Sequence, residues 1–166
     1  MNVGRTGFLE GMSRAATSVT IVTTRGPAGK DGVTVSSMTS VSADPPTILV
    51  CIHHESPLAD MIIRNGTFCI NLLRDDQVGL SNLFAGFGKA PRGDKFATGD
   101  WSSPGELAPR LREGLAVFDC KLVDNHRSGS HFIFIGEVSD TVVSYGKPLI
   151  YGSRSYGIPT YHEENL

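Results

Sequence analysis

Residues 32–52 read GVTVSSMTSVSADPPTILVCI, in which valines and hydroxyl side chains precede two prolines and an apolar run. Six serine or threonine side chains fall within nine positions, from Thr34 to Ser42. Serine is a poor strand former, and each hydroxyl can both donate and accept a hydrogen bond. The stretch therefore has two interpretations that the residues alone leave open: solvent-facing positions of a strand and turn, or groups that face a bound polar ligand.

Runs of β-branched and aromatic residues on both sides of this stretch predict a mainly β chain. Strands are expected at residues 19–24, 32–37, 47–52, 67–73, 115–124, 131–144 and 148–152. The segment GPAGKDG predicts a hairpin turn, the continuous apolar run 47–52 predicts a strand buried on both faces, and Gly136 predicts a β-bulge. Short helices are expected at residues 6–17, between Ser56 and Gly66, and within 75–86, with a long ordered loop at 86–110.

This order of elements favours an antiparallel fold with a closed barrel. Six or seven strands with only three short helices suit a barrel, because closure removes the edge strands that invite aggregation. Parallel doubly wound folds need a helix after nearly every strand, which this order does not provide. No repeat, linker or low-complexity segment divides the chain, so residues 1–166 are expected to form a single domain.

The composition of the chain limits which classes of partner it could bind and indicates the compartment in which it works. Fifteen basic and 17 acidic residues, with no run of like charge, argue against nucleic acid as a partner. No stretch approaches ~20 apolar residues, so no membrane partner is expected. The N-terminal segment carries Arg5, Glu10 and Arg14 and lacks the apolar core of a secretion signal. Three cysteines within apolar runs indicate reduced thiols and a cytoplasmic location.

Six motifs follow one another along the chain: GVTVSSMTSVSADPPTILVCI, TFCINLL, LSNLFAG, DKFATGDW, HFIFIGEV and PLIYGSRSYG. Their ordered set resembles the flavin reductase family, from about Ala15 to Tyr156. The resemblance implies a split β-barrel, antiparallel and of the FMN-binding type, with short helices.

The resemblance also implies a reaction, which is hydride transfer from NADH or NADPH to FMN or FAD. Members of the family are reductase components of two-component flavin-dependent aromatic monooxygenases. A separate flavin-dependent oxygenase is therefore the expected transient partner, and a homodimer is expected by analogy.

By resemblance, the hydroxyl-rich stretch holds the isoalloxazine and ribityl chain of the flavin through Thr34, Ser36, Ser37, Met38 and Ser40. Ser56 is expected near the flavin phosphate, since a helix N-terminus favours anions, and His53 could help neutralise that phosphate. The simpler alternative is that Ser56 caps the N-terminus of the helix and has no role in binding. The remaining expected wall residues are Phe84, Ala85, Gly86, Lys89, Lys95, Phe96, Tyr151 and Tyr156. The alternative for the lysines is that they lie on a solvated surface. The alternative for the aromatic residues is that they pack in the core.

His131 is the candidate catalytic residue, because the family places a histidine here beside the flavin, where it can contact the nicotinamide. The family's turn usually ends Gly-Asp-His, whereas this chain has Gly129, Ser130 and His131. The serine removes a carboxylate that would fix the tautomer of the imidazole and raise its basicity. No metal is expected, since adjacent histidines such as His53 and His54 on a strand would face opposite ways.

Other enzyme classes find no support in the sequence. Among the patterns it lacks are the Gly-x-Gly-x-x-Gly fingerprint after a strand, the Gly-x-Ser-x-Gly elbow and paired metal-ligand spacings. Three rivals stay open: a non-catalytic flavin-binding or carrier barrel, a reductase whose final acceptor is iron or a corrinoid, and a barrel that acts through protein contacts alone.

Overall fold

The computed structural model describes residues 4–162, apart from the side chains of Arg92 and Glu106. The strands are β1 (Thr17–Ser18), β2 (Thr20–Gly26), β3 (Gly29–Val35), β4 (Thr39–Ala43), β5 (Pro46–His53), β6 (Thr67–Leu72), β7 (Trp101–Ser102), β8 (Arg110–Leu111), β9 (Ala116–Ser128), β10 (His131–Val143), β11 (Ile150–Gly152) and β12 (Ser155–Gly157). The α-helices are α1 (Arg5–Ser13), α2 (Pro57–Asn65) and α3 (Val78–Phe84), and 3-10 helices cover Asp75–Gln77, Pro91–Gly93, Lys95–Ala97 and Pro104–Glu106.

The main sheet has seven antiparallel strands in the order β3-β2-β6-β9-β10-β5-β4. Strands β1, β11 and β12 form a smaller sheet, and β7 pairs with β8. The prediction of a mainly β, antiparallel fold of the split-barrel type is confirmed. The closed barrel expected from the strand count is wrong, since β3 and β4, at the two edges of the main sheet, do not pair with each other.

One side chain extends the pairing of β5 beyond the start of β4. Strand β4 pairs with β5 through Thr39 with Leu49 and Ser40 with Ile48, so continuation of that register would place Ser37 opposite Cys51. There the Ser37 hydroxyl accepts a hydrogen bond from the Cys51 N–H at 2.9 Å and donates to the Cys51 carbonyl at 3.0 Å. A serine side chain thus takes the place of a backbone group in the ladder.

Several elements match the sequence pattern and several differ from it. The hairpin of β2 and β3 and the register shift at Gly136 are confirmed. The edge strand β4 was not expected, because its two serines are poor strand formers and all five of its residues are exposed, which leaves no alternation of buried and exposed positions. Strand β5 is buried on one face only, through Ile48, Val50 and Ile52. Helix α1 ends at Ser13, four residues earlier than expected, and none of its residues is buried.

Two apolar clusters position the helices against the sheet. Helix α2 buries Leu58, Ala59 and Ile62 in the larger cluster. In the same region a Cβ at Gly136 would lie 2.5 Å from Cζ of Phe68, which explains the glycine within a long strand. Helix α3 buries Leu80, Leu83 and Phe84 in the second cluster.

We expect Ser37→Ala to lower the free energy of unfolding by about 1 to 2 kcal/mol, because it leaves the N–H and the carbonyl of Cys51 without their partner. Urea denaturation measures the change. Ser36→Ala is the matched control, since the Ser36 side chain is exposed, and it should change stability by less than about 0.5 kcal/mol. Equal losses in the two variants would contradict the bridging role of the Ser37 hydroxyl.

Candidate functional site

An open cavity of about 460 Å³ lies beside the split in the main sheet. Strand β3 and the serines that follow it form one wall, and the end of β5 with the start of α2 forms another. Residues of α3, β10, β11 and β12 complete the lining. The volume lies in the range of small-molecule and cofactor sites, which makes this cavity the candidate functional site.

Nine of the residues predicted for the site line the cavity: Thr34, Ser36, Ser37, His53, Ser56, Ala85, His131, Tyr151 and Tyr156. They come from distant parts of the sequence, and the fold brings them together. Seven further lining residues were not predicted: Val19, Val33, Val35, Cys51, Ile52, Ser81 and Phe87. The alternation of Val33, Thr34 and Val35 in a strand signals a half-buried wall, whereas no sequence signal marks Ser81 or Phe87.

The other seven predicted residues lie outside this lining. Met38 packs against the larger core cluster, and Ser40 pairs with Ile48 in the edge strand. Gly86 and Lys89 are exposed. Phe84 and Phe96 belong to an aromatic group with Trp101, in which ring centroids are 5.2 Å apart, so core packing is the observed environment of both phenylalanines.

The side chain of Lys95 is directed to the β2–β3 hairpin. Its Nζ lies 2.7 Å from Oδ1 of Asp31 and donates to the carbonyl of Gly32 at 2.6 Å. This ion pair fixes the long loop against the hairpin. The contact with Asp31 also partly neutralises the charge expected to meet a phosphate, so the structure gives Lys95 a structural role.

A chain of hydrogen bonds fixes one wall of the cavity. Thr34 Oγ1 donates to the carbonyl of Ser81 at 2.7 Å. The Tyr156 hydroxyl donates to Oδ1 of Asn82 at 2.9 Å, so the Ser81 hydroxyl, 2.9 Å from it, acts as the donor to Tyr156. The rings of Tyr156 and Tyr151 meet edge to face with centroids 5.3 Å apart. Hydrogen bonds to two residues of α3 therefore hold the Tyr156 hydroxyl in place.

Three imidazoles gather at one end of the cavity. His53 ends β5 and His54 lies in the following turn, so their rings stack with centroids 5.0 Å apart. The expectation that these two side chains face opposite ways is wrong, because the strand has ended before His54. His131 packs edge to face on His53 at 5.1 Å.

Neutral contacts orient these imidazoles. Ser130 Oγ lies 2.9 Å from Nδ1 of His131, so a hydroxyl stands where the resemblance implied a carboxylate. Nδ1 of His53 accepts the Glu55 N–H at 3.2 Å, while a Glu55 carboxylate oxygen lies 3.9 Å from the same nitrogen. The 3.2 Å contact lies within hydrogen-bonding distance, and the carboxylate oxygen at 3.9 Å lies beyond it.

Ser56 occupies the N-cap position of α2 and lines the cavity. Its side chain makes no capping hydrogen bond, so the hydroxyl is not used by the helix. The first backbone N–H groups of a helix have no partner within it and favour negative charge. Ser56 and the start of α2 together form a polar corner of the cavity.

The described lining of the cavity carries no side chain with a permanent charge. Within the part of the chain that the structure describes, its lining contains no lysine, arginine, aspartate or glutamate. Valine, isoleucine, phenylalanine and tyrosine side chains supply apolar surface, and hydroxyls and imidazoles supply the polar groups. This arrangement suits a flat, largely apolar ring with polar atoms along its edge.

The three thiols have different environments. Cys51 is half-buried and lines the cavity, whereas Cys69 and Cys120 are buried. Burial raises the pKa of the Cys120 thiol to about 12. Burial and the nearby Asp119 carboxylate raise the pKa of Cys69 well above its usual value. A thiol reacts as its thiolate, so we expect Cys69 and Cys120 to be unreactive towards alkylating agents at neutral pH.

Among residues 4–162, no group of three or more His, Cys, Asp or Glu side chains is arranged to hold a metal ion. No helix in that described range combines the length and the apolar character needed to cross a bilayer.

Comparison with known proteins gives consistent matches along the chain. A family model for the flavin reductase like domain matches residues 12–159. The FMN reductase (NADH) RutF 2 of Methylorubrum extorquens (strain PA1) is 38% identical over 157 residues, which cover 94% of this chain and 90% of that protein.

Solved structures agree with these matches. The flavin reductase PheA2 superposes with a TM-score of 0.86 at 30% identity, covering 96% of this chain and 100% of that one. BorF is the flavin reductase component of a bacterial two-component tryptophan halogenase. It superposes with a TM-score of 0.82 at 30% identity, covering 95% of this chain and 99% of that one.

Proposed function

Because the chain belongs to the flavin reductase family, we propose that it transfers a hydride from NADH or NADPH to FMN or FAD. The name of the relative from Methylorubrum extorquens supports NADH and FMN as the working pair. The observation that carries the proposal is the cavity beside the split, with apolar walls, hydroxyls along one side and imidazoles at one end.

When bound, the flavin supplies the ring that accepts the hydride, so the protein needs no acid or base at the transferring carbon. The chain's own work is to bind, to orient and to exclude water. Val33, Val35 and Ile52 provide apolar surface, which keeps water from the bound rings. Ser36 projects a hydroxyl along the same wall and can contact polar atoms at the edge of a ring.

The start of α2 is the proposed phosphate corner. The Ser56 hydroxyl, free of a capping role, can donate to a phosphate oxygen, and the dipole of α2 favours the negative charge. His53 lies beside this corner, and its second ring nitrogen, Nε2, can donate a hydrogen bond to a phosphate oxygen.

We further propose that the whole chain is one flavin reductase domain that works in the cytoplasm as a homodimer. The three free thiols support a reducing compartment. Helix α1 supports a dimer, because its Phe8, Leu9 and Met12 are exposed and need a partner surface. Sedimentation should give about twice the chain mass of 17.8 kDa. A single-chain mass at micromolar concentration would contradict the dimer.

We propose that the reduced flavin serves a separate flavin-dependent oxygenase through transient contact. The support is that BorF is a component of a two-component halogenase system. The residues of this chain do not specify the aromatic substrate, since that substrate would bind the other polypeptide.

The proposed reaction has a direct test. Purified protein should oxidise NADH rapidly only when FMN or FAD is added, and anaerobic NADH should bleach the flavin. A rate no higher than that of NADH with flavin and no protein would contradict the enzyme. Bound flavin that NADH fails to bleach would indicate a carrier, and faster turnover with ferric iron or a corrinoid would indicate a different final acceptor.

His131 is the proposed contact for the nicotinamide nucleotide. It is exposed at the first position of β10 and lines the cavity, so one of its ring nitrogens can reach a ligand while the other meets Ser130. His131→Ala should raise KM for NADH about fivefold and leave the Kd for FMN unchanged, as expected for loss of one hydrogen bond.

His126→Ala is the matched control for His131→Ala. His126 is an exposed histidine on β9 that does not line the cavity, so its replacement should leave both constants unchanged. An unchanged KM for NADH in His131→Ala would remove His131 from the nicotinamide site.

A further inference from the structure

Phe87 is a large aromatic residue held at the cavity by the end of α3. Gly86 follows that helix with φ 85°, in the left-handed region. The Gly86 N–H donates to the carbonyl of Leu83 at 3.2 Å, and the Phe87 N–H donates to the carbonyl of Asn82 at 2.9 Å. These two bonds form a Schellman cap, which fixes the direction of the chain at Phe87.

The side chain of Phe87 lacks the apolar contact that usually accompanies this cap. In a Schellman cap the residue after the glycine commonly packs on the residue three or four positions inside the helix end. Here those residues are Asn82 and Ser81, and both use their side chains to hold the Tyr156 hydroxyl. Phe87 instead lines the cavity and is 74% exposed.

We propose that the ring of Phe87 stacks on a flat heteroaromatic ring held in the cavity. The inference rests on the proposed function, which supplies two sources of such a ring: the isoalloxazine of the flavin or a ring of the nicotinamide nucleotide. Aromatic stacking accepts any flat ring and needs no charge, which fits a lining without lysine or arginine among the described residues. Burial of an otherwise exposed phenylalanine adds a hydrophobic contribution to the same contact.

Ligand binding by Phe87→Ala and Phe87→Tyr tests the proposal. Equilibrium dialysis gives the Kd for FMN, and steady-state rates at saturating FMN give KM for NADH. Phe87→Ala should raise one of these constants about tenfold, the change expected when one stack is lost. Phe87→Tyr keeps the ring and should stay within about twofold of the native protein. A raised Kd for FMN identifies the flavin as the stacked ring, and a raised KM for NADH alone identifies the nucleotide.

Tyr145→Ala is the matched control, because Tyr145 is a fully exposed aromatic residue outside the cavity lining. It should leave the Kd for FMN and KM for NADH unchanged. Both Phe87 variants should keep the native urea midpoint, since the side chain is largely exposed.

Three results would overturn the stacking role. The first is a Phe87→Ala protein with native constants for both ligands, and the second is a Phe87→Tyr protein as weak as the alanine variant. The third is a fall of the sedimentation mass in Phe87→Ala, which would assign the ring to a subunit contact. Native protein that neither binds FMN nor oxidises NADH would instead show that the proposed function has failed, and the stacking proposal would fail with it.

Discussion

The constraint on which the structure depends is the split between the edges of the main sheet. A sheet of seven antiparallel strands that does not close leaves unpaired backbone groups where β3 and β4 diverge. Between these two strands the Ser37 hydroxyl bonds both the N–H and the carbonyl of Cys51, and so extends the ladder on β5 by one side chain. Strand β3 and the end of β5 form two walls of a cavity, and residues at α2, α3, β10, β11 and β12 supply the others.

The hydrogen-bonding capacity of the hydroxyl-rich stretch is thus divided between fold and site. Thr34 and Ser37 use their hydroxyls on the main-chain groups of Ser81 and Cys51, and Ser42 bonds to the turn at Asp44. Ser36 is left facing the cavity. Hydride transfer between two bound rings requires correct placement and exclusion of water more than acid or base groups. The apolar walls of the cavity and the absence of carboxylates among its described lining residues are consistent with that requirement.

The sequence predicted most of the fold, since strand patterning and turn residues act locally. It missed β4, whose serines contradict strand propensity. The strand count alone favoured a closed barrel, whereas the family motifs implied the split form that the structure has. Nine of the residues named from family motifs line the cavity, but motif order does not tell where a side chain points. The Lys95 side chain forms an ion pair with Asp31, and the ring of His54 stacks on that of His53 because the strand ends before His54. Phe87 was missed because its place at the cavity depends on the cap at the end of α3 and on strands far along the chain, which no local pattern shows.

Alkylation of Cys51 tests most directly whether the flavin lies in this cavity. With iodoacetamide at neutral pH and peptide mapping by mass spectrometry, Cys51 should react, and buried Cys69 and Cys120, with pKa values raised by burial, should not. Saturating FMN should slow the alkylation of Cys51 at least about tenfold, as expected for a site more than nine-tenths occupied. Cys51 labelling at the same rate with and without FMN would contradict the account, because the ring would then lie elsewhere.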